Sequence, residues 1–268
     1  MCTFSPLLLL AAACALAGVE AATLSMDLVL SHYDEPLADV LTFAERARRA
    51  ASWQGVGRVQ VFFYCQGDVE RHLLPADWVF ERLTNVNREA HVYAAYLRDH
   101  RDRDSNFVWF TQALPNGDEE HSRYLWSRLK HLTPSTGMLA LCGVGESSCD
   151  HWEQGSRVTA IYAMTQSRLC TDADTWAVFF NGEFIVSRAR ILRRSRDFYD
   201  GIFEASQTPT AFRGMDTKSA GHNVSDYAFA FVMERTWNLV FNCLKPEYVA
   251  KRYASDLLHR TREFRCSD

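Results

Sequence analysis

Two hydrophobic periods alternate through the first half of the chain, and this alternation restricts the fold more than any other feature. "MDLVLSHY" (residues 26–33) is a short apolar run of the length a buried strand uses. "LADVLTFAERARRAAS" follows with helical spacing at Leu37, Val40, Leu41 and Ala44. "RVQVFFYC" is the next strand, ended by Gln66-Gly67-Asp68, and after another helical stretch "NFVWFTQ" (residues 106–112) is a third. Parallel neighbours need a crossover, usually a helix that packs on the sheet. The pattern therefore predicts an α/β three-layer sandwich with a mostly parallel central sheet. Later, "TWAVFFNGEFIVS" reads as two strands around Asn181-Gly182, a favoured turn pair, so a late antiparallel hairpin is expected. Helical patterns resume in "ARILRRSRDFYDGIFEAS" and "DYAFAFVMERTWNLVF".

The opening "MCTFSPLLLLAAACALAGVEA" stands outside that pattern. Its apolar run from Leu7 to Val19 leads to Val19-Glu20-Ala21, which offers small residues at the two positions a signal peptidase reads. Glu20 interrupts the run before the roughly 20 apolar residues of a membrane span. Residues 1–21 thus read as a signal peptide and residues 22–268 as a single α/β domain, secreted or held in the secretory lumen with no stable membrane span after cleavage. With 47% hydrophobic residues, a chain of 268 can bury one sizeable core. Cleavage removes Cys2 and Cys14 and leaves Cys65, Cys142, Cys149, Cys170, Cys243 and Cys266. An even number in an exported chain suggests disulfides, and the short "CGVGESSC" suggests local closure of Cys142 with Cys149. Asn223-Val224-Ser225 is a glycosylation sequon. The net charge of −4, with Lys and Arg scattered, argues against a nucleic-acid partner.

Sheets of this type put ligands beyond the carboxyl ends of their strands. The stretches to inspect are therefore His32-Tyr33-Asp34-Glu35, Gln66-Gly67-Asp68, and Gln112 onward. "LTNVNREAHVYAAYLRDH" (residues 83–100) is a helix whose first turn is crowded with Asn85, Asn87, Arg88, Glu89 and His91. Val86, Ala90, Tyr93, Ala94 and Leu97 form its inward face, and Arg88 and His91 lie side by side on another. Free N–H groups at the helix start, with the Arg88 fork, suit a phosphate or carboxylate. The simpler reading is that Asn85 or Asn87 caps the helix and Arg88 pairs with a surface carboxylate.

Four further places carry polar chemistry. Glu183 follows the turn glycine, where a carboxylate is usually solvated. Glu234 sits with Arg235 inside the apolar helix "FAFVMERTWNLVF", where an unpaired carboxylate is costly. It suits a general base, or equally an ion pair with an arginine near Arg190. Asp118, Glu119, Glu120 and His121 follow a Pro-Asn-Gly turn, so helix-start acids are expected there and no metal site is assigned. Asp172-Ala173-Asp174 looks like a D-x-D manganese motif, but it precedes its strand, which favours a turn role. No glycine-rich phosphate loop, G-x-S-x-G elbow or H-x-x-H pair is present, and no cofactor is indicated.

These stretches, in this order, resemble an uncharacterised family, domain of unknown function 3431. The likeness runs through "LVLSHYDE", "VFFYCQG", "NVNREAHVYAAYL", "WFTQALP", "FIVSR" and the late "ERTW" helix, covering most of residues 26–241. Where that family usually has glycine at the helix start, this chain has Asn87, a residue that tolerates positive φ. The layout is also similar to glycosyltransferases of the nucleotide-sugar-binding type. In those enzymes a strand end presents metal-binding aspartates, a hairpin shapes the acceptor site, and a late acid deprotonates the acceptor hydroxyl. Gln112 stands where an aspartate is expected, and an amide lacks the charge that favours Mn²⁺ or Mg²⁺.

The resemblance implies transfer of a sugar from a nucleotide sugar to a glycan or small-molecule acceptor, without a metal. Asn85, Asn87, Arg88, His91, Gln112 and Glu183 would contact substrate, and Glu234 would be the base. The competing class is a noncatalytic carbohydrate- or ligand-binding secreted protein of the same fold.

Overall fold

A computed structural model describes residues 23–115, 125–149, 155–171, 173–207, 228–244 and 265–268. The signal-peptide segment, the cluster at 118–121, Asp172 and the sequon at 223–225 lie outside the described residues. The chain is α/β, with a seven-stranded mixed, mostly parallel sheet and a separate antiparallel two-stranded unit. Strands β1 (Leu24–His32), β2 (Val56–Cys65), β3 (Val79–Arg82) and β4 (Phe107–Gln112) form the parallel half, in the order β3-β2-β1-β4. Beyond β4 come β8 (Phe184–Ser187), β5 (Thr136–Ala140) and β9 (Arg265–Ser267), each antiparallel to its neighbour. Because β8 is reversed, β5 again points the same way as β1 to β4.

Alternation along each strand builds the two faces. Val29, Phe62, Val108, Phe110, Phe184 and Val186 pack into one apolar layer with α2 (Arg88–His100). Leu28, Leu30, Val61, Phe63, Trp109 and Ile185 pack on the other side with α1 (Leu37–Ser52). Strands covered on both faces read as continuous apolar runs, which is why "LVL" and "VFF" carry no polar residue. The first layer also takes up α3 (Gly155–Gln166), α5 (Arg196–Gln207) and α6 (Ala228–Val240), while the short α4 (Arg188–Leu192) continues β8. Helix α2 lies among these elements and is buried from Ala90 to Leu97 without a break, so its single inward stripe was too narrow an expectation.

The strands on either side of Asn181-Gly182 both form, but they enter different sheets. β7 (Thr175–Phe179) pairs with β6 (Val144–Ser148) in the small unit, whereas β8 joins β4 and β5. A tight 3-10 turn at Phe180–Gly182, with Asn181 at φ 63° and Gly182 at φ 62°, redirects the chain between the sheets. The Asn-Gly pair thus supplies positive φ for a crossover.

The cysteines also pair differently from the local closure. The disulfides are Cys149–Cys170 and Cys243–Cys266, and Cys142 and Cys65 are buried free thiols. Cys142 leaves the central sheet just after β5 and faces its core, while Cys149 ends β6 in the small unit. Among the described residues no helix is long and apolar enough to cross a membrane.

At the amino edge of the sheet one oxygen of a buried carboxylate gathers four donors. Asp27 accepts from Ser105 Oγ at 2.8 Å, Arg103 Nε at 3.0 Å, Arg188 Nη2 at 3.1 Å and the Tyr96 hydroxyl. Arg188 also donates to the carbonyls of His100 and Arg101, satisfying the end of α2. Arg190 is spent on the carbonyls of Phe241, Asn242 and Ser267, so it forms no pair with Glu234.

Candidate functional site at the carboxyl rim

The carboxyl ends of β1, β2, β4 and β5 open onto one rim, and two backbone features shape it. Gly67 passes so close to the preceding loop that a Cβ there would lie 1.9 Å from the Tyr33 carbonyl oxygen. Gln66, 7% exposed, donates its amide to the Val86 carbonyl at 3.1 Å and ties the segment before α2 to the end of β2. The start of α2 is therefore held beside the rim.

That start is not capped as expected. Asn87 occupies the cap position in the left-handed region at φ 51°, and its side chain caps nothing. Its Nδ2 instead donates to the Ser206 carbonyl on α5 at 2.6 Å. Its buried Oδ1 has no partner among the described residues. Asn85 is exposed in the preceding loop, and Arg88, also at φ 51°, is exposed where the helix begins.

Whereas Arg88 is exposed, His91 turns inward. It is 2% exposed, stacks on Phe203 with centroids 5.2 Å apart, and its Nδ1 lies 2.7 Å from Ser206 Oγ. The Ser206 hydroxyl donates to the Phe203 carbonyl, so Nδ1 is the protonated nitrogen that donates to Oγ. Burial, with the Arg98 charge, lowers its pKa to about 4, and the ring stays neutral in a helix–helix contact.

Three glutamates from three elements meet at the turn between β7 and β8. Glu234 of α6 accepts the backbone N–H of Asn181 at 2.8 Å, and Arg235 lies 3.5 Å from its other oxygen. Glu89, in the first turn of α2, packs on Gly182: a Cβ there would be 3.7 Å from its Cγ and 3.9 Å from Oε1. Glu183, directly after that glycine, is 3% exposed, and its Oε1 has no hydrogen-bond partner among the described residues.

Burial raises the pKa of two of them. It raises Glu183 to about 8, with a further push from Glu89. It raises Glu89 to about 7, where a hydrogen bond from its own backbone N–H and the Arg88 charge pull down and Glu234 pushes up. Tyr93, fully buried with an unpartnered hydroxyl, and the Cys142 thiol are both held protonated, chiefly by burial and then by these carboxylates. Near neutrality such a cluster holds carboxyl groups in both states, the requirement for moving protons to and from a bound molecule.

The expected residues fall into two groups. Glu183 and Glu234 share the turn; Gln112, half-buried, ends β4 two residues beyond Phe110, which pairs with Phe184 next to Glu183. Arg88 precedes Glu89 at the same rim. His91 and Asn87 face α5, and Asn85 faces solvent. Glu89, Tyr93 and Cys142 were missed as members of the cluster; the acid in a first turn resembles any residue that complements the helix dipole.

No metal is assigned. Among the described residues, the only group of three potential ligands whose atoms lie within 4.8 Å of one another is Cys149, Cys170 and Asp174. Two of its members are joined as a disulfide. Asp174 is bound by Arg168, Tyr162 and the Thr171 N–H, which gives it the turn role expected from its position. Compared with protein-family models and with curated proteins, the chain matches none.

Proposed function

We propose that this chain is a glycosyltransferase-like enzyme of the secretory pathway that moves a sugar from a nucleotide-sugar donor to an acceptor hydroxyl without a bound metal. The observation that carries the reading is the meeting of Glu89, Glu183 and Glu234 on one turn, at the carboxyl rim and beside the start of α2. Arg88 and the N–H groups of α2 provide positive potential for a leaving diphosphate. Glu234, 16% exposed and oriented by the Asn181 N–H, takes the acceptor proton as the new glycosidic bond forms. Gln112 contributes hydrogen bonds without charge, consistent with a site that does not rely on a cation. His91 takes no part, because its ring is committed to Ser206 and Phe203. Two disulfides accord with a lumenal or secreted setting.

A noncatalytic carbohydrate-binding protein is the second reading, and the pairing of Arg235 with Glu234 at 3.5 Å favours it, since a carboxylate engaged by its own neighbour is less available to a substrate hydroxyl. A thermal-shift screen of nucleotide sugars, with and without Mn²⁺, tests the donor assignment. Stabilisation by a nucleotide sugar that does not need Mn²⁺ supports it, and no response to any donor removes it.

A further inference from the structure

We infer that a half-open cleft between the ends of α3, α4 and α6 binds a tetrahedral oxyanion, a phosphate or sulfate, either free or as the ester of a larger molecule. The cleft lies toward the amino edge of the sheet, where α4 leaves β8 opposite the first residue of β4. It is therefore separate from the turn where the three glutamates meet, and its ligand is independent of the sugar donor proposed above.

Three segments of the chain converge there. Thr165 near the end of α3, Arg193 and Arg194 just after α4, and Val240, Phe241 and Asn242 at the end of α6 line a space of about 180 Å³. A single water needs on the order of 10–15 Å³ of such space, so the cleft has room for an oxyanion and part of what carries it.

Helix ends of this polarity ordinarily repel anions, because their last carbonyls form the negative pole. Here arginines cover those carbonyls. Arg194 donates Nε–H to the Val240 carbonyl at 2.9 Å, Nη1 to Thr165 at 3.0 Å and Nη2 to Leu239 at 3.1 Å. Arg190 takes the carbonyls of Phe241 and Asn242 in the same way. Each Nη of Arg194 carries a second N–H, and among the described residues neither has an acceptor.

Arg193 is the cation left over. Its side chain is 44% exposed, and its guanidinium makes no hydrogen bond among the described residues. The carboxylate near it, Asp268 at 3.6 Å, is shared with Arg190 at 3.3 Å. Three guanidinium groups thus meet one carboxylate. Two helix ends of about half a charge each offset one more cation, which leaves roughly one positive charge in excess. That excess lies on Arg193, at the solvent side of the cleft. After burial, the Arg193 charge also holds the pKa of Arg190 below its usual range, as expected of cations with too few anions between them.

A tetrahedral oxyanion suits these donors because its oxygens point in several directions. It can accept the Arg193 fork, the second N–H groups of Arg194 and the amide of Asn242, which is exposed where it lines the cleft.

The test is calorimetric titration of the full chain with inorganic phosphate, at an ionic strength held constant with chloride. Saturable binding is expected, and Arg193→Met should weaken it by about tenfold or more, as for a lost charge-assisted contact. Arg193→Lys keeps the charge and loses the fork, so its affinity should fall between those two. Glucose 6-phosphate separates the sources: affinity at least equal to that of inorganic phosphate identifies an ester as the ligand, and weaker binding identifies the free ion. No binding of phosphate by the native chain, or native affinity in both Arg193 variants, overturns the site. Either result leaves the donor reading to its own tests on Arg88 and Glu234.

Discussion

Arg188 and Asp27 lie 161 residues apart in the chain and 3.1 Å apart in the fold. Their pairing joins the start of helix α4 to the first strand, and through the carbonyls of His100 and Arg101 it also closes the end of α2. The motif "FIVSR" thus ends in a structural residue at the amino edge of the sheet, opposite the rim where the glutamates meet. Removing one partner leaves the other buried and incompletely paired. Arg188→Met is expected to lower stability by about 3–5 kcal/mol in urea unfolding, and Asp27→Leu/Arg188→Met to recover part of that loss. A loss below about 1 kcal/mol in the single variant would contradict the structural role.

The Cys243–Cys266 bridge fixes the end of α6 to the three-residue edge strand β9. Cross-linking across a separation of 23 residues restricts the unfolded chain, with an expected stabilisation of about 3 kcal/mol. Cys266→Ser should lower the urea midpoint accordingly. Mass spectrometry of the native chain should find Cys65 and Cys142 alkylated only after unfolding.

Glu183 ties stability to pH. Its carboxyl titrates near 8 when folded and from 4.5 as its ordinary value, so between those values the folded chain holds a proton that the unfolded chain has released. Its contribution is therefore fully present below about pH 4.5 and lost as pH rises through about 8. Glu183→Gln should make stability less dependent on pH across that window, and more stable than the native chain at its alkaline end by on the order of a few kcal/mol. Parallel urea midpoints for the two proteins at about pH 5 and about pH 8 would refute the assignment.

Arg88 is expected to act on donor binding. Arg88→Ala should weaken nucleotide-sugar affinity by about 1.5–3 kcal/mol, the range for a lost charge-assisted hydrogen bond. The effect on affinity should exceed the effect on stability, since Arg88 is exposed where the helix begins. Calorimetry reads the first and urea unfolding the second; unchanged affinity would assign Arg88 to a surface ion pair.

The parallel half of the sheet was legible in the sequence because β1, β2 and β4 are buried on both faces, and an unbroken apolar run leaves few alternatives. The partnership of β7 and β8 was not. Asn181-Gly182 reports only that the backbone takes positive φ, and a crossover between sheets satisfies that need as well as a hairpin does. The same limit applied to the cysteines, since spacing says nothing about which sheet each flanks. At the site, Glu234 was legible as an acid in a costly place, whereas Glu183, expected to be solvated beside its turn, is buried at 3% exposure. His91 was misleading because a histidine in a first turn looks alike whether it faces a ligand or a neighbouring helix, and only the packing of α5 decides. Glu89 was hidden by its ordinary position, for its environment is made by Gly182 and Glu234, far away in sequence.

The most direct test of the account is steady-state turnover of Glu234→Gln beside donor affinity in the same variant, using whichever nucleotide sugar stabilises the native chain. The amide keeps the size and can still sit against the Asn181 N–H, but it cannot take a proton. Turnover should fall by about 100-fold or more while donor affinity stays within about twofold, as expected for loss of a general base. Turnover equal to that of the native chain would contradict the role of Glu234 and the acid–base reading of the three glutamates.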